Sequence, residues 1–173
     1  MYVVKRDGNQ EEVSFDKVLK RIKSLSEELN VNPASIAQKV CSRIYDGIHT
    51  HELDEIAASI CANLSTEHPD NAILASKIIV SNHQKNTSPS FSETIDNLYN
   101  AVDIHNEGMK LISDSLYKIV MENKEKLNSF IKYDRDYNID YFGFKTLERS
   151  YLMKINQKTI ERPQHMFMRV ALC

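Results

Sequence analysis

The sequence predicts a mainly α fold: an N-terminal β-hairpin capping a four-helix module, then a helical segment with a short second hairpin. Three observations predict it. Asp7-Gly8 is a turn signal set between apolar Tyr2, Val3 and Val4 and the later Val13 and Phe15. Apolar residues then recur at helical spacing through four successive stretches. Finally, Asn156-Gln157 sits at the centre of Leu152–Glu161, a second candidate hairpin.

The first hairpin is expected to use a type I′ turn, with φ > 0 at both Asp7 and Gly8. A two-stranded hairpin is marginal alone and needs a platform. Phe15, Val18, Leu19, Ile22, Leu25 and Leu29 supply one, on a helix over Asp16–Leu29. The second helix opens at Pro33, a residue suited to a first turn, and carries Ile36, Val40, Ile44 and Ile48, with Gly47 as its stop. A third opens at Thr50 as N-cap, with Leu53, Ile56, Ala57, Ile60, Cys61 and Leu64 on one face. The fourth follows His68-Pro69-Asp70 and ends near Lys85. These elements make a first domain of residues 1–88.

Asn86-Thr87-Ser88-Pro89 is the best boundary in the chain. Residues 89–173 form the second domain. Ser90 and Glu93 have capping-box spacing, which predicts a helix over Ser90–Tyr99. Further helices are expected over Ser113–Asn123, Lys124–Ile131 and Lys145–Met153, with an ordered irregular segment at Tyr133–Phe144. Met166–Leu172 is apolar and lacks a polar tail, so this half reads as cut from something larger.

Composition excludes several functions. The 173 residues carry a formal net charge of -2, which argues against a general nucleic-acid binder. No apolar run has membrane-spanning length and no secretory signal opens the chain. Cys41, Cys61 and Cys173 show no CxxC spacing, and an odd count suits a reduced, cytoplasmic protein. The six histidines are scattered and offer no metal-ligand set. Four unclustered glycines exclude a Walker A loop and a GxGxxG turn, so any phosphate site must be built from side chains.

Lys5 and Arg6 at the hairpin tip are the first candidates for such a site. Spacing alone favours a solvated tip. Thr50 and Asp54 lie one turn apart, and Asp54 either accepts from a ribose or base or, the more ordinary role, stabilises the helix N-terminus. Lys85 ends the fourth helix, where a cation is favoured anyway.

Longer motifs bear on these choices. Val-Lys-Arg-Asp-Gly followed by Glu-Glu-Val-Ser-Phe-Asp-Lys, then Thr-His-Glu-Leu-Asp and His-Pro-Asp-Asn-Ala-Ile-Leu-Ala, resemble an ATP-cone, the allosteric module at the N-terminus of many ribonucleotide reductases. Tyr133-Asp134-Arg135-Asp136, the run Tyr141–Leu152 and Glu161-Arg162-Pro163-Gln164-His165-Met166 resemble the large subunit of class I ribonucleoside-diphosphate reductases, eukaryotic and viral type. The resemblance implies a site for ATP (activating) or dATP (inhibiting), with Mg2+, between hairpin and helices. By position, Lys5 and Arg6 meet the phosphates, and Glu11, Glu12, Val13, Ser14, Phe15, Asp16 and Lys17 line base and ribose. Thr50 and Asp54 contact the nucleotide from the third helix, and Lys85 adds positive charge. His51 replaces an expected small or β-branched residue, and Asn71 an aromatic one.

The family continues past Met-Arg-Val into a ten-stranded α/β barrel that holds its catalytic cysteines. The resemblance therefore implies a regulatory segment without catalytic residues of its own. It also implies self-association through the cone, the radical-generating small subunit as partner in the whole enzyme, and a role in deoxyribonucleotide synthesis for DNA replication. The alternative is a nucleotide-independent oligomerisation module of the same origin. Nucleotide-sensing repressors also carry cones, but with a zinc ribbon whose paired cysteines are missing here.

Overall fold

The computed structural model describes all residues from Met1 to Cys173. Helices dominate, and the backbone divides into two compact units: residues 1–86 with 139–144, and residues 87–138 with 145–173.

The first unit opens on strands β1 (Tyr2–Val4) and β2 (Gln10–Glu12), antiparallel with Val3 opposite Glu11. The turn between them differs from the expected type I′. Gly8 alone has positive φ, at +84°, while the Gly8 amide bonds the Lys5 carbonyl and the Lys5 amide the Asn9 carbonyl. This is a three-residue loop with glycine at the left-handed position. Asp7 is free of that strained region and instead accepts from the Asn9 amide through Oδ1.

The hairpin also gains a strand that its own pattern does not advertise. β3 (Ile48–His49) runs parallel to β1, giving the order β2-β1-β3. Gly47, expected to stop the second helix, is the turn into this strand, with φ +81° and its amide on the Tyr2 carbonyl. Two residues are too short for alternation to be visible, and Ile48 reads equally well as a helix residue. Buried Val3 and Ile48 anchor the sheet on the helices below.

Those helices are α1 (Phe15–Leu25), α2 (Pro33–Cys41), α3 (Thr50–Asn63) and α4 (Asp70–Asn86). α1 and α2 stop earlier than periodicity suggests. Ser26 and Ser42 take the C-cap positions, and Glu28 adopts φ +66°. Asn32 caps α2 by accepting from the Ser35 amide. Thr50 is the first residue of α3 rather than its cap. His49 holds the cap position, its amide donating to Glu52 Oε2 at 2.9 Å. α3 and α4 pair most extensively, because buried Ala57, Ala58 and Cys61 allow close approach to a helix carrying Leu74, Ala75, Ile78 and Ile79. Asn71, in place of the expected aromatic, donates to the Leu64 carbonyl.

The second unit contains α5 (Phe91–Tyr99), α6 (Asp114–Glu122) and α7 (Lys124–Phe130). It also holds most of α8 (Tyr141–Ser150), strands β4 (Lys154–Ile155) and β5 (Lys158–Thr159), and α9 (Pro163–Leu172). Phe91, Ile95, Leu98, Ile112, Leu116, Val120, Leu127 and Ile131 form its core. Ser90 caps α5 as its capping-box spacing predicts, and Ser113 caps α6 by accepting from the Leu116 amide. Tyr133–Asn138 is a 3₁₀ segment, and α8 starts four residues before the expected Lys145. The apolar run at the C-terminal end is helical. The second hairpin has the turn expected of it, with positive φ at Asn156 (+49°) and Gln157 (+66°).

Candidate functional site

A cavity of about 340 Å³ lies within the first unit, under the hairpin and above α1, α3 and α4. That volume falls in the roughly 300–1,000 Å³ range of small-molecule sites. Val3, Val18, Ile22, Val40, Leu53 and Ala57 give it an apolar floor. Five cationic residues line it (Lys5, Arg6, Lys17, Arg21 and Lys85) against three carboxylates, Glu11, Glu12 and Asp54. An apolar slot with surplus positive charge suits an anionic ligand with a flat apolar body.

Helical geometry explains which residues arrive there. Thr50, Leu53, Asp54 and Ala57 are spaced i, i+3, i+4, i+7 on α3 and form one stripe facing the cavity. Ser14, Lys17, Val18, Arg21 and Ile22 make the matching face of α1. Phe15 and Asp16, expected in the site, lie outside this lining, and Phe15 is 42% exposed. Rotation by about 100° per residue carries Asp16 to the far side of α1, whereas Phe15 stands at the flank of the lining face, in the first turn of the helix. The other expected residues, Lys5, Arg6, Glu11, Glu12, Val13, Ser14, Lys17, Thr50, Asp54 and Lys85, all line the cavity.

The charged groups form two clusters. Near the hairpin base, Glu11 accepts from Lys5 Nζ at 2.6 Å and is also bound by Lys17. Deeper, Asp54 is only 6% exposed, and Arg21 forks onto it with Nε to Oδ1 at 3.2 Å and Nη2 to Oδ2 at 3.1 Å. Arg6 reaches down from the turn, its Nη2 donating to Asn82 Oδ1 at 2.6 Å and to Asp54 Oδ2 at 3.4 Å. Its Nε donates to Asn86 Oδ1 at 2.7 Å. Arg6 thus ties the hairpin to the end of α4.

Lys85 stands at the rim. Loss of hydration, then repulsion from Arg21 and, after support from Asp54, from Arg6, lower its pKa from the usual ammonium value. An approaching anion would relieve that repulsion. Arg21 and Asn82 are the polar residues that sequence reading passes over. Arg21 is detectable as the i+4 neighbour of Lys17, whereas Asn82 joins the network only because α4 packs behind α3.

No group of three His, Cys, Asp or Glu side chains converges to hold a metal ion. Burial pushes the Cys61 thiol up to about 12 and raises Cys41, so neither is an activated nucleophile. No helix is long and apolar enough to cross a membrane.

Similarity to known proteins bears on both units. Residues 1–86 match the ATP cone domain, and residues 137–173 match the ribonucleotide reductase all-alpha domain. The chain is 52% identical over 177 residues to the ribonucleoside-diphosphate reductase large subunit of Arabidopsis thaliana. It is 49% identical over 176 residues to large chain 2 of Saccharomyces cerevisiae, and 51% identical over 176 residues to the large subunit of Vaccinia virus. Each alignment covers 99% of this chain. This chain belongs to the ribonucleoside-diphosphate reductase large-subunit family. It spans 22%, 20% and 23% of the length of those three large subunits, respectively. Within the family's ATP cone, the cationic cavity is the feature that the hairpin, α1, α3 and α4 build together.

Proposed function

We propose that residues 1–86 are the allosteric nucleotide site of a ribonucleoside-diphosphate reductase large subunit, taking ATP as activator and dATP as inhibitor. The observation that carries this reading is the cavity's combination of an apolar floor and five cationic side chains in a domain of the ATP-cone family. Lys5, Arg6, Lys17 and Lys85 meet the triphosphate, whose charge of about four at neutral pH exceeds what a single lysine offsets. The adenine lies on Val18, Ile22 and Leu53, between the β2–α1 connection and α3. Asp54 and Thr50 accept and donate to the sugar. Phe15 and Asp16 take no direct part.

A magnesium ion accompanying the nucleotide rides on phosphate oxygens. Glu11 is already held by two lysines and Asp54 by two arginines, so neither carboxylate is free to cage it. In the whole enzyme this segment regulates reduction of ribonucleoside diphosphates, supplying deoxyribonucleotides for DNA replication. Its partners there are further copies of the cone and the radical-generating small subunit.

Titration calorimetry of the 173-residue chain with ATP and dATP tests the reading. Both should bind, and Lys5→Ala should weaken both about tenfold, the loss of one charge-assisted phosphate contact. Absence of binding by either nucleotide to the unaltered chain would overturn it.

A further inference from the structure

The Asp54 carboxylate is the point where α1, α3, the hairpin turn and α4 converge. A carboxylate offers about four lone-pair directions. Arg21 occupies one on each oxygen through its Nε and Nη2, and Arg6 occupies the second on Oδ2. One direction remains, on Oδ1, and Asp54 lines the cavity. Arg21 has little freedom to change this. Its Nη2 also donates to Ser81 Oγ at 3.0 Å, so α4 fixes the guanidinium from behind.

We infer that Arg21 is a positioning residue: together with Arg6 it holds Asp54 so that this carboxylate presents a single acceptor to the cavity, and Asp54 therefore recognises one sugar hydroxyl rather than a vicinal diol. This rests on the nucleotide reading above. Gripping a 2′,3′-diol would take two free acceptors on Asp54, and the Arg21 fork together with Arg6 leaves one. One open acceptor on Asp54 is satisfied equally by a ribose and a 2′-deoxyribose, provided the hydroxyl is the one they share, the 3′-OH. Recognition of the sugar is thus set by a residue that does not itself touch the nucleotide. Lysine cannot replace it, because an ammonium is a point charge and cannot hold both carboxylate oxygens in one plane.

The test is calorimetric titration of the full chain and of Arg21→Lys and Arg21→Met with dATP, 2′,3′-dideoxy-ATP and inorganic tripolyphosphate. The unaltered chain should prefer dATP over the dideoxy analogue by about tenfold or more, the loss of a hydrogen bond to a charged group. In both variants that preference should fall to within about twofold. Tripolyphosphate should bind Arg21→Lys within about threefold of the unaltered chain. Arg21→Met leaves buried Asp54 with Arg6 alone, so thermal denaturation accompanies it. Should it unfold, Arg21→Lys, which keeps the charge and loses the fork, decides the matter. Retention of the preference in Arg21→Lys overturns the inference, as does an unaltered chain that binds dATP and the dideoxy analogue equally. A loss of tripolyphosphate binding with the preference intact makes Arg21 a phosphate ligand instead. An unaltered chain that binds no adenine nucleotide overturns the nucleotide reading, a result distinct from all of these.

Discussion

At the scale of single residues, the cavity is organised by charges that already have partners. Lys5 and Lys17 share Glu11, and Arg21 and Arg6 share Asp54. Lys85 differs: its pKa is lowered because lost hydration and neighbouring guanidiniums outweigh the attraction of Asp54. The sign follows directly. Its folded pKa lies below 10.5, so the charged ammonium costs stability below that folded value, and the cost is relieved as pH rises through it towards 10.5. A triphosphate reverses the field and raises the pKa again. Nucleotide binding should therefore take up protons at alkaline pH and weaken as pH climbs through Lys85's lowered value. Calorimetry in two buffers of different ionisation enthalpy reads this uptake, and Lys85→Met should abolish it. Proton release, or uptake unchanged in that variant, would contradict the assignment.

At the scale of elements, the helices are largely legible from spacing, and the turns and short strands are not. The apolar stripes of α3 and α4 and the caps at Ser90 and Ser113 follow from local chemistry. β3 escapes because two residues carry no period, and the Asp7-Gly8 loop takes a geometry that needs only one positive φ. Within the site, the α3 stripe is visible from Thr50 and Asp54. Arg6's reach to Asn82 and Asn86 depends on how a turn packs against a helix about eighty positions away, which no window of sequence contains. The second hairpin offers a test of turn chemistry. Gln157 occupies a left-handed position at φ +66°, where glycine carries no penalty. Gln157→Gly should raise stability by about 0.5–1 kcal/mol in denaturant unfolding. A loss of stability would show that the Gln157 side chain outweighs the backbone strain.

At the scale of the whole molecule, charge is distributed rather than abundant. The chain carries 24 acidic and 22 basic residues, yet its cavity gathers five cations against three carboxylates. Attraction to phosphate is thus local and partly shielded from solvent ions. Raising NaCl from about 50 to about 500 mM should weaken ATP and tripolyphosphate binding alike by several-fold, while ATP stays the tighter ligand at both, since only ATP also gains a salt-independent increment from the apolar floor. Equal affinities of the two at about 500 mM NaCl would mean that the adenine contributes nothing. The departure at His51 falls on the exposed side of α3, and its backbone carbonyl accepts from Asn82 Nδ2 at 3.1 Å.

The cavity beneath the hairpin is where an adenine nucleotide is proposed to bind. Amide hydrogen exchange of the full chain with and without saturating ATP tests this most directly. Exchange should slow in the hairpin and β2–α1 connection, over residues 3–22, with a second protected stretch over 50–57 and a third near the end of α4. Protection confined to other segments, or none at all under saturating ATP, would contradict it.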